Sequence, residues 1–225
     1  MRSASSTATT FTSVVSLTAL PTLQISQTYS PSASSALILD RVTITNTGAA
    51  AITDVRYARN MDWDIPPTNF SEFVTIQGWP ATRLLHSSDD GFAASDPLSI
   101  PASICPGAPV DANFTRVGPC DHGAWFSFQF GSLGAGESLS FDIFYGAEVN
   151  EAAALAALGV VGAELYSLGE STNTAGGPAT DAPTFIFGFA GIGGTPIGGT
   201  VPEPASLALI GLGLAGIAAL RRRKA

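Results

Sequence analysis

Three stretches of this chain alternate apolar and polar side chains with period two. In residues 124–130, Phe126, Phe128 and Phe130 share one face, while Ser127 and Gln129 share the other. Leu139, Phe141, Ile143 and Tyr145 fall together in residues 138–145, and Phe185, Phe187 and Phe189 do so in 184–189. Successive side chains of a strand point to opposite faces, so this pattern calls for sheets with one face buried. Residues 131–136, Gly-Ser-Leu-Gly-Ala-Gly, read as a hairpin loop between the first two strands. Further strand candidates are residues 23–29, 37–46, 52–61, 72–77 and 163–168. The second of these is rich in β-branched residues and ends at the turn signal Asn46-Thr47-Gly48, so 52–61 is expected to pair back on it as a hairpin. One helix interrupts the strands. Asn150 can cap it, Glu151 suits its positive end, residues 152–158 favour helix, and Gly159 is a natural stop. Leu155 and Leu158 are expected to face the sheet. Residues 86–117, broken by Asp89-Asp90-Gly91, Asp96-Pro97 and several more prolines, read as loop.

Charged residues make up 12% of the 225 positions, against about 25% in an average soluble domain. With 13 phenylalanines the chain is too apolar to be disordered and long enough to bury a core. The expected fold is mainly β: an Ig-like or jelly-roll-type β-sandwich with one short helix. The segment VTITNTG followed by ITDV resembles the strand–turn–strand of bacterial Ig-like surface domains.

Four of the ten basic residues, Arg221, Arg222, Arg223 and Lys224, lie within the last five positions. Residues 1–220 therefore carry six basic against eighteen acidic side chains, a formal charge of −12. Such a surface repels phosphates, and nucleic-acid binding is set aside.

The C-terminal stretch has a defined order. Gly-rich residues 188–200 lead to Val201-Pro202-Glu203-Pro204, then sixteen uncharged residues, 205–220, then the basic cluster. As a helix those sixteen span about 24 Å, somewhat short of a hydrocarbon core of about 30 Å, a difference that snorkelling Arg and Lys can cover. The cluster would hold the end on the cytoplasmic side. Motif, apolar helix and basic end together resemble the PEP-CTERM sorting signal of Gram-negative bacteria. The resemblance implies that an integral-membrane exosortase recognises and cleaves the tail. The precursor would sit in the inner membrane, and the body would go to the cell envelope or the exopolysaccharide matrix. The prolines around Glu203 keep the motif extended, a form that a membrane protease can bind. A permanent, uncleaved anchor is the plainer reading of the same residues.

An exported chain needs an export signal, and residues 1–20 supply a poor one: Arg2, many Ser and Thr, and a weakly apolar run from Phe11 to Leu20. Either the true start lies upstream, which we expect, or the run is a first strand. The expected organisation is residues 1–19 as an ill-defined segment, 20–190 as the β domain, 191–200 as a flexible Gly-rich linker, and 201–225 as the sorting signal with a single transmembrane helix.

In an oxidising compartment Cys105 and Cys120 are expected to form a disulfide. The alternative, a metal pair with His122, lacks a fourth ligand. His86 and His122 are the two histidines available as a catalytic base. The run His86-Ser87-Ser88-Asp89-Asp90 reads as an exposed polar turn, since neighbours on one loop rarely converge on one point. No G-x-S-x-G is present. Asp62 and Asp64 share one side of an extended segment around Trp63, which makes them candidates for Ca²⁺ or glycan contact; a Ca²⁺ site needs six to eight oxygens, and turn-capping is the simpler role. Trp63, Trp79 and Trp125 are either a sugar-stacking platform or core packing. Asn69 and Asn113 begin N-glycosylation sequons.

The leading expectation is a non-enzymatic envelope, matrix or biofilm protein without a cofactor, sorted through its tail and associating with exopolysaccharide. The alternative is a secreted carbohydrate-binding module or carbohydrate-active enzyme on the same signal.

Overall fold

The computed structural model describes residues 2–94 and 96–198. Twelve strands and one helix follow in chain order: β1 (Arg2–Ser6), β2 (Phe11–Ser16), β3 (Leu23–Pro31), β4 (Leu37–Asn46), β5 (Ile52–Asp62), β6 (Glu72–Gln77), β7 (Leu84–Ser88), β8 (Phe114–Cys120), β9 (Gly123–Leu133), β10 (Ser138–Glu148), α1 (Glu151–Val160), β11 (Leu165–Glu170) and β12 (Thr184–Ala190). The described residues are mainly β, with 49% of them in strands and one short helix among them. All pairings are antiparallel. One sheet has nine strands in the order β1-β2-β3-β4-β10-β12-β11-β6-β8, and the other has three, β5-β9-β7.

The alternating phenylalanines join the two sheets. Phe126 and Phe128 of β9 meet Phe189 of β12 with ring centroids 5.3 and 5.0 Å apart, and Phe130 lies 5.2 Å from Phe141 of β10. These edge-on and offset contacts are the arrangements aromatic quadrupoles favour. Val42, Ile44, Val74, Ile76, Ile143 and Leu165 complete this core from the large sheet.

The opposite face of the large sheet takes the helix. Leu158 and Ala154 pack against Leu37, Phe144, Leu168 and Ile186. Asn150 caps α1 as expected, its Oδ1 accepting from the Ala153 amide at 3.0 Å. The helix runs past Gly159 to Val160, and the left-handed residue after it is Gly162, at φ 63°. Gly188 lets the helix sit close, because a Cβ there would lie 2.6 Å from Leu158 Cδ2. Gly188→Ala is therefore expected to cost about 1–3 kcal/mol, read as a lower urea midpoint at unchanged m-value.

Two connections differ from the sequence expectation. β5 does not pair back on β4; it pairs with β9 in the other sheet, while β4 lies between β3 and β10. Residues 131–136 do not close a hairpin either, because β9 and β10 lie in different sheets. Both are crossings between layers, and one buried side chain ties them together. Asn46 Nδ2 lies 2.8–3.0 Å from the carbonyl oxygens of Ala50, Leu133 and Gly134, and Asn46 Oδ1 accepts from the Gly48 amide. Turn residues signal that the chain reverses, not which strand it then meets.

Candidate functional site

The motif Pro202, Glu203 and Pro204, the apolar run 205–220 and the basic residues Arg221, Arg222, Arg223 and Lys224 lie outside the described residues. Among the described residues no helix is long and apolar enough to cross a membrane. The structure does show how the chain leaves the body. Residues 191–198, read as a flexible linker, are bonded to it. Glu164 Oε2 accepts from the amides of Ile192 at 2.8 Å and Gly194 at 3.0 Å. The amides of Thr82 and Arg83 donate to Gly193 and Ile192, and the Ile197 amide donates to Ala163 O at 2.7 Å. Ile192 is buried. Gly-rich composition suggested freedom, but backbone amides without side chains are what a carboxylate can gather closely. Four residues, 198–201, separate Ile197 from Pro202. At the other end, residues 1–19 contain β1 and β2, which extend the large sheet beyond β3.

The cysteines are joined. Cys105 and Cys120 form a disulfide with Cα atoms 5.7 Å apart across a separation of 15 residues. A loop of that length is worth about 3 kcal/mol in the chain-entropy account, so reduction is expected to lower the unfolding free energy by about that amount, measured by denaturant titration with and without reductant.

The run at 86–90 is not an exposed turn. Ser87, Ser88 and Asp89 are buried. His86 Nδ1 faces Asp111 Oδ2 at 2.9 Å at the surface, and Asp111 Oδ1 accepts from the Ser87 amide. Asp89 reaches a different histidine: its Oδ2 lies 3.0 Å from His122 Nδ1, and His122 Nε2 faces Glu72 O at 3.3 Å. Asp89 also accepts from the amides of Ile104 at 2.9 Å and Cys105 at 2.8 Å. Burial alone would raise this carboxyl, but the bonds from His122, Ile104 and Cys105 outweigh it and hold the group below the ordinary carboxylate value. Sequence reasoning missed this clamp. Its members are 33 residues apart, and nothing local marks a buried histidine–carboxylate contact.

Trp63 is buried and donates its indole N–H to Ser167 Oγ at 3.0 Å; Trp125 is fully buried and donates to Ala94 O. Neither offers a face to a sugar, which corrects the three-tryptophan platform. Asp62 and Asp64 are exposed beside Trp63. The Asp62 carboxyl is raised, by burial first and then by the charges of Asp64 and Asp121. Among the described residues no group of three His, Cys, Asp or Glu side chains is placed to hold a metal ion. Asn113 of the second sequon is engaged, its Oδ1 accepting from the Gly78 and Trp79 amides and its Nδ2 donating to Trp79 O.

No curated protein and no solved structure matches the chain. The family model of the PEP-CTERM protein-sorting motif matches residues 200–224. That span begins three residues after Ile197, the last of the described residues seen bonded to the body, and takes in Pro202, Glu203 and Pro204, the apolar run and the basic cluster. The chain thus carries a PEP-CTERM sorting motif, which marks it as an exported protein that undergoes membrane-associated sorting and processing by exosortase, a membrane protein.

Proposed function

We propose that this is a non-enzymatic protein of the cell envelope or extracellular matrix, released from the inner membrane when its tail is cut. The observation that carries the reading is the sorting motif at residues 200–224. The body supports it. Its two packed antiparallel sheets suit an Ig-like or jelly-roll-type sandwich, braced by the Cys105–Cys120 disulfide and the Asp89–His122 clamp. Both histidines serve structural contacts: His122 is sealed from solvent, and His86 is turned onto Asp111. Residues 205–220 act as a transient retention helix, with Gly211, Gly213 and Gly216 making it a weak permanent anchor. The cluster from Arg221 halts translocation and presents the motif at the outer face. Once cut, the body is soluble and strongly acidic. The test is fractionation of cells that carry an epitope in an exposed body loop. Recovery with the polysaccharide matrix or outer surface is expected. Retention of all tagged protein in the inner membrane would overturn the reading.

A further inference from the structure

The two hairpins at the N-terminal end of the large sheet, β1–β2 and β3–β4, leave a cleft of about 670 Å³ between their turns. That is room for a small-molecule-sized ligand. The composition of its lining is unusual for a surface this acidic. Ser and Thr supply eight of its fourteen lining residues, and none of the fourteen carries a charge. Two aromatic rings form a shelf. Phe11 and Tyr29 are paired across β2 and β3, with ring centroids 6.2 Å apart. Phe11 is 45% exposed and Ile38, on the next strand, 55%.

The shelf is held in advance of any ligand. Gln27 Nε2 reaches Tyr29 Oη at 3.4 Å and Asp40 Oδ2 at 2.8 Å, and Asp40 is fully buried. On the opposite rim Thr7 Oγ1 accepts from the amides of Thr9 and Thr10 and shares a hydrogen bond with Thr10 Oγ1, which fixes that turn. A rigid aromatic face beside many hydroxyls binds without a large ordering cost.

We propose that this cleft binds a neutral saccharide chain, with sugar faces on Phe11 and Tyr29 and sugar hydroxyls on the Ser and Thr side chains of the two turns. An acyl chain would cover the hydroxyls of Ser6, Thr9, Ser30 and Ser35 without offering them a partner, whereas those of Thr7, Thr10, Ser32 and Ser34 are already bonded within the two turns. An acidic polysaccharide would find no cation among the residues lining the cleft and would meet residues 1–198, whose six basic and seventeen acidic side chains give a formal charge of −11. The inference deepens the matrix reading and rests on it for where the ligand comes from. It uses none of the tail, so the binding assay and the localisation assay fail independently.

The test is affinity electrophoresis of the full-length chain in a non-glycosidic detergent, through gels containing a neutral glucan, mannan or galactan, or acidic alginate. Retardation by at least one neutral polymer is expected. Phe11→Ala and Ile38→Arg should each weaken it at least tenfold at unchanged melting temperature, while Trp79→Ala leaves it intact. No retardation by any neutral polymer, retardation by alginate alone, or neutral binding that survives both variants would overturn the proposal.

Discussion

Asp89→Ala is expected to destabilise the body by about 3–5 kcal/mol, since it strips the acceptor from the buried Cys105 amide and the half-buried Ile104 amide and leaves His122 buried without its partner. That is a large share of a typical domain's stability, which is about 5–15 kcal/mol. The loss should be local in origin: Asp89 fastens residues 104 and 105 beside the disulfide, and its own carbonyl accepts from the amides of Gly91 and Gly123. A pH signature separates the carboxylate from simple packing. The folded-state pKa of Asp89 lies below its unfolded value, so its contribution is fully present above an unfolded pKa of about 4 and fades as pH falls through the folded value. Asp40, Asp62 and Glu72 are shifted the other way, each by burial first, and oppose this trend. The informative quantity is therefore a difference. Below about pH 4 the stability gap between the wild type and Asp89→Asn should narrow. A gap that is constant from neutral to acid pH would assign the clamp to shape rather than charge.

Replacing Pro202, Glu203 and Pro204 together with alanine is expected to leave the full-length chain in the inner membrane. The change adds no charge to residues 205–220 and keeps the four basic residues after them, so insertion should proceed as before. What it removes is the pair of prolines that disfavour helix on either side of Glu203, because alanine has the highest helix propensity. The pinned segment sharpens the expectation. With Ile192 and Gly194 held by Glu164, the body stands only a few residues from the motif. Four residues, 198–201, reach at most about 14 Å when extended. Normal processing of the alanine variant would mean that the motif is not what is read.

The parts of this molecule legible in the sequence are those set by local chemistry. Period-two apolar alternation marked β9, β10 and β12, Asn150 marked the start of α1, and two cysteines 15 apart marked the disulfide. The parts that were not legible depend on partners far along the chain. β8 reads as loop because Gly118 and Pro119 break its pattern, and its pairing with β6 is irregular. β2 is weakly apolar because it lies at the uncovered end of the large sheet, where its residues are only partly buried. The sheet crossings at Asn46 look like hairpins because the same turn residues serve both. Trp63 could not be placed from composition, since its burial depends on Ser167, 104 residues away. The sorting motif was legible for the opposite reason: it is a linear peptide signal, read as sequence by its enzyme.

The most direct measurement is the intact mass of the protein recovered from outside the inner membrane. The account predicts a species that ends near Pro202, Glu203 and Pro204, without residues 205–220 and without Arg221, Arg222, Arg223 and Lys224, and with the Cys105–Cys120 bond intact. Recovery of protein that still carries the four terminal basic residues would contradict it and leave a permanent anchor in its place.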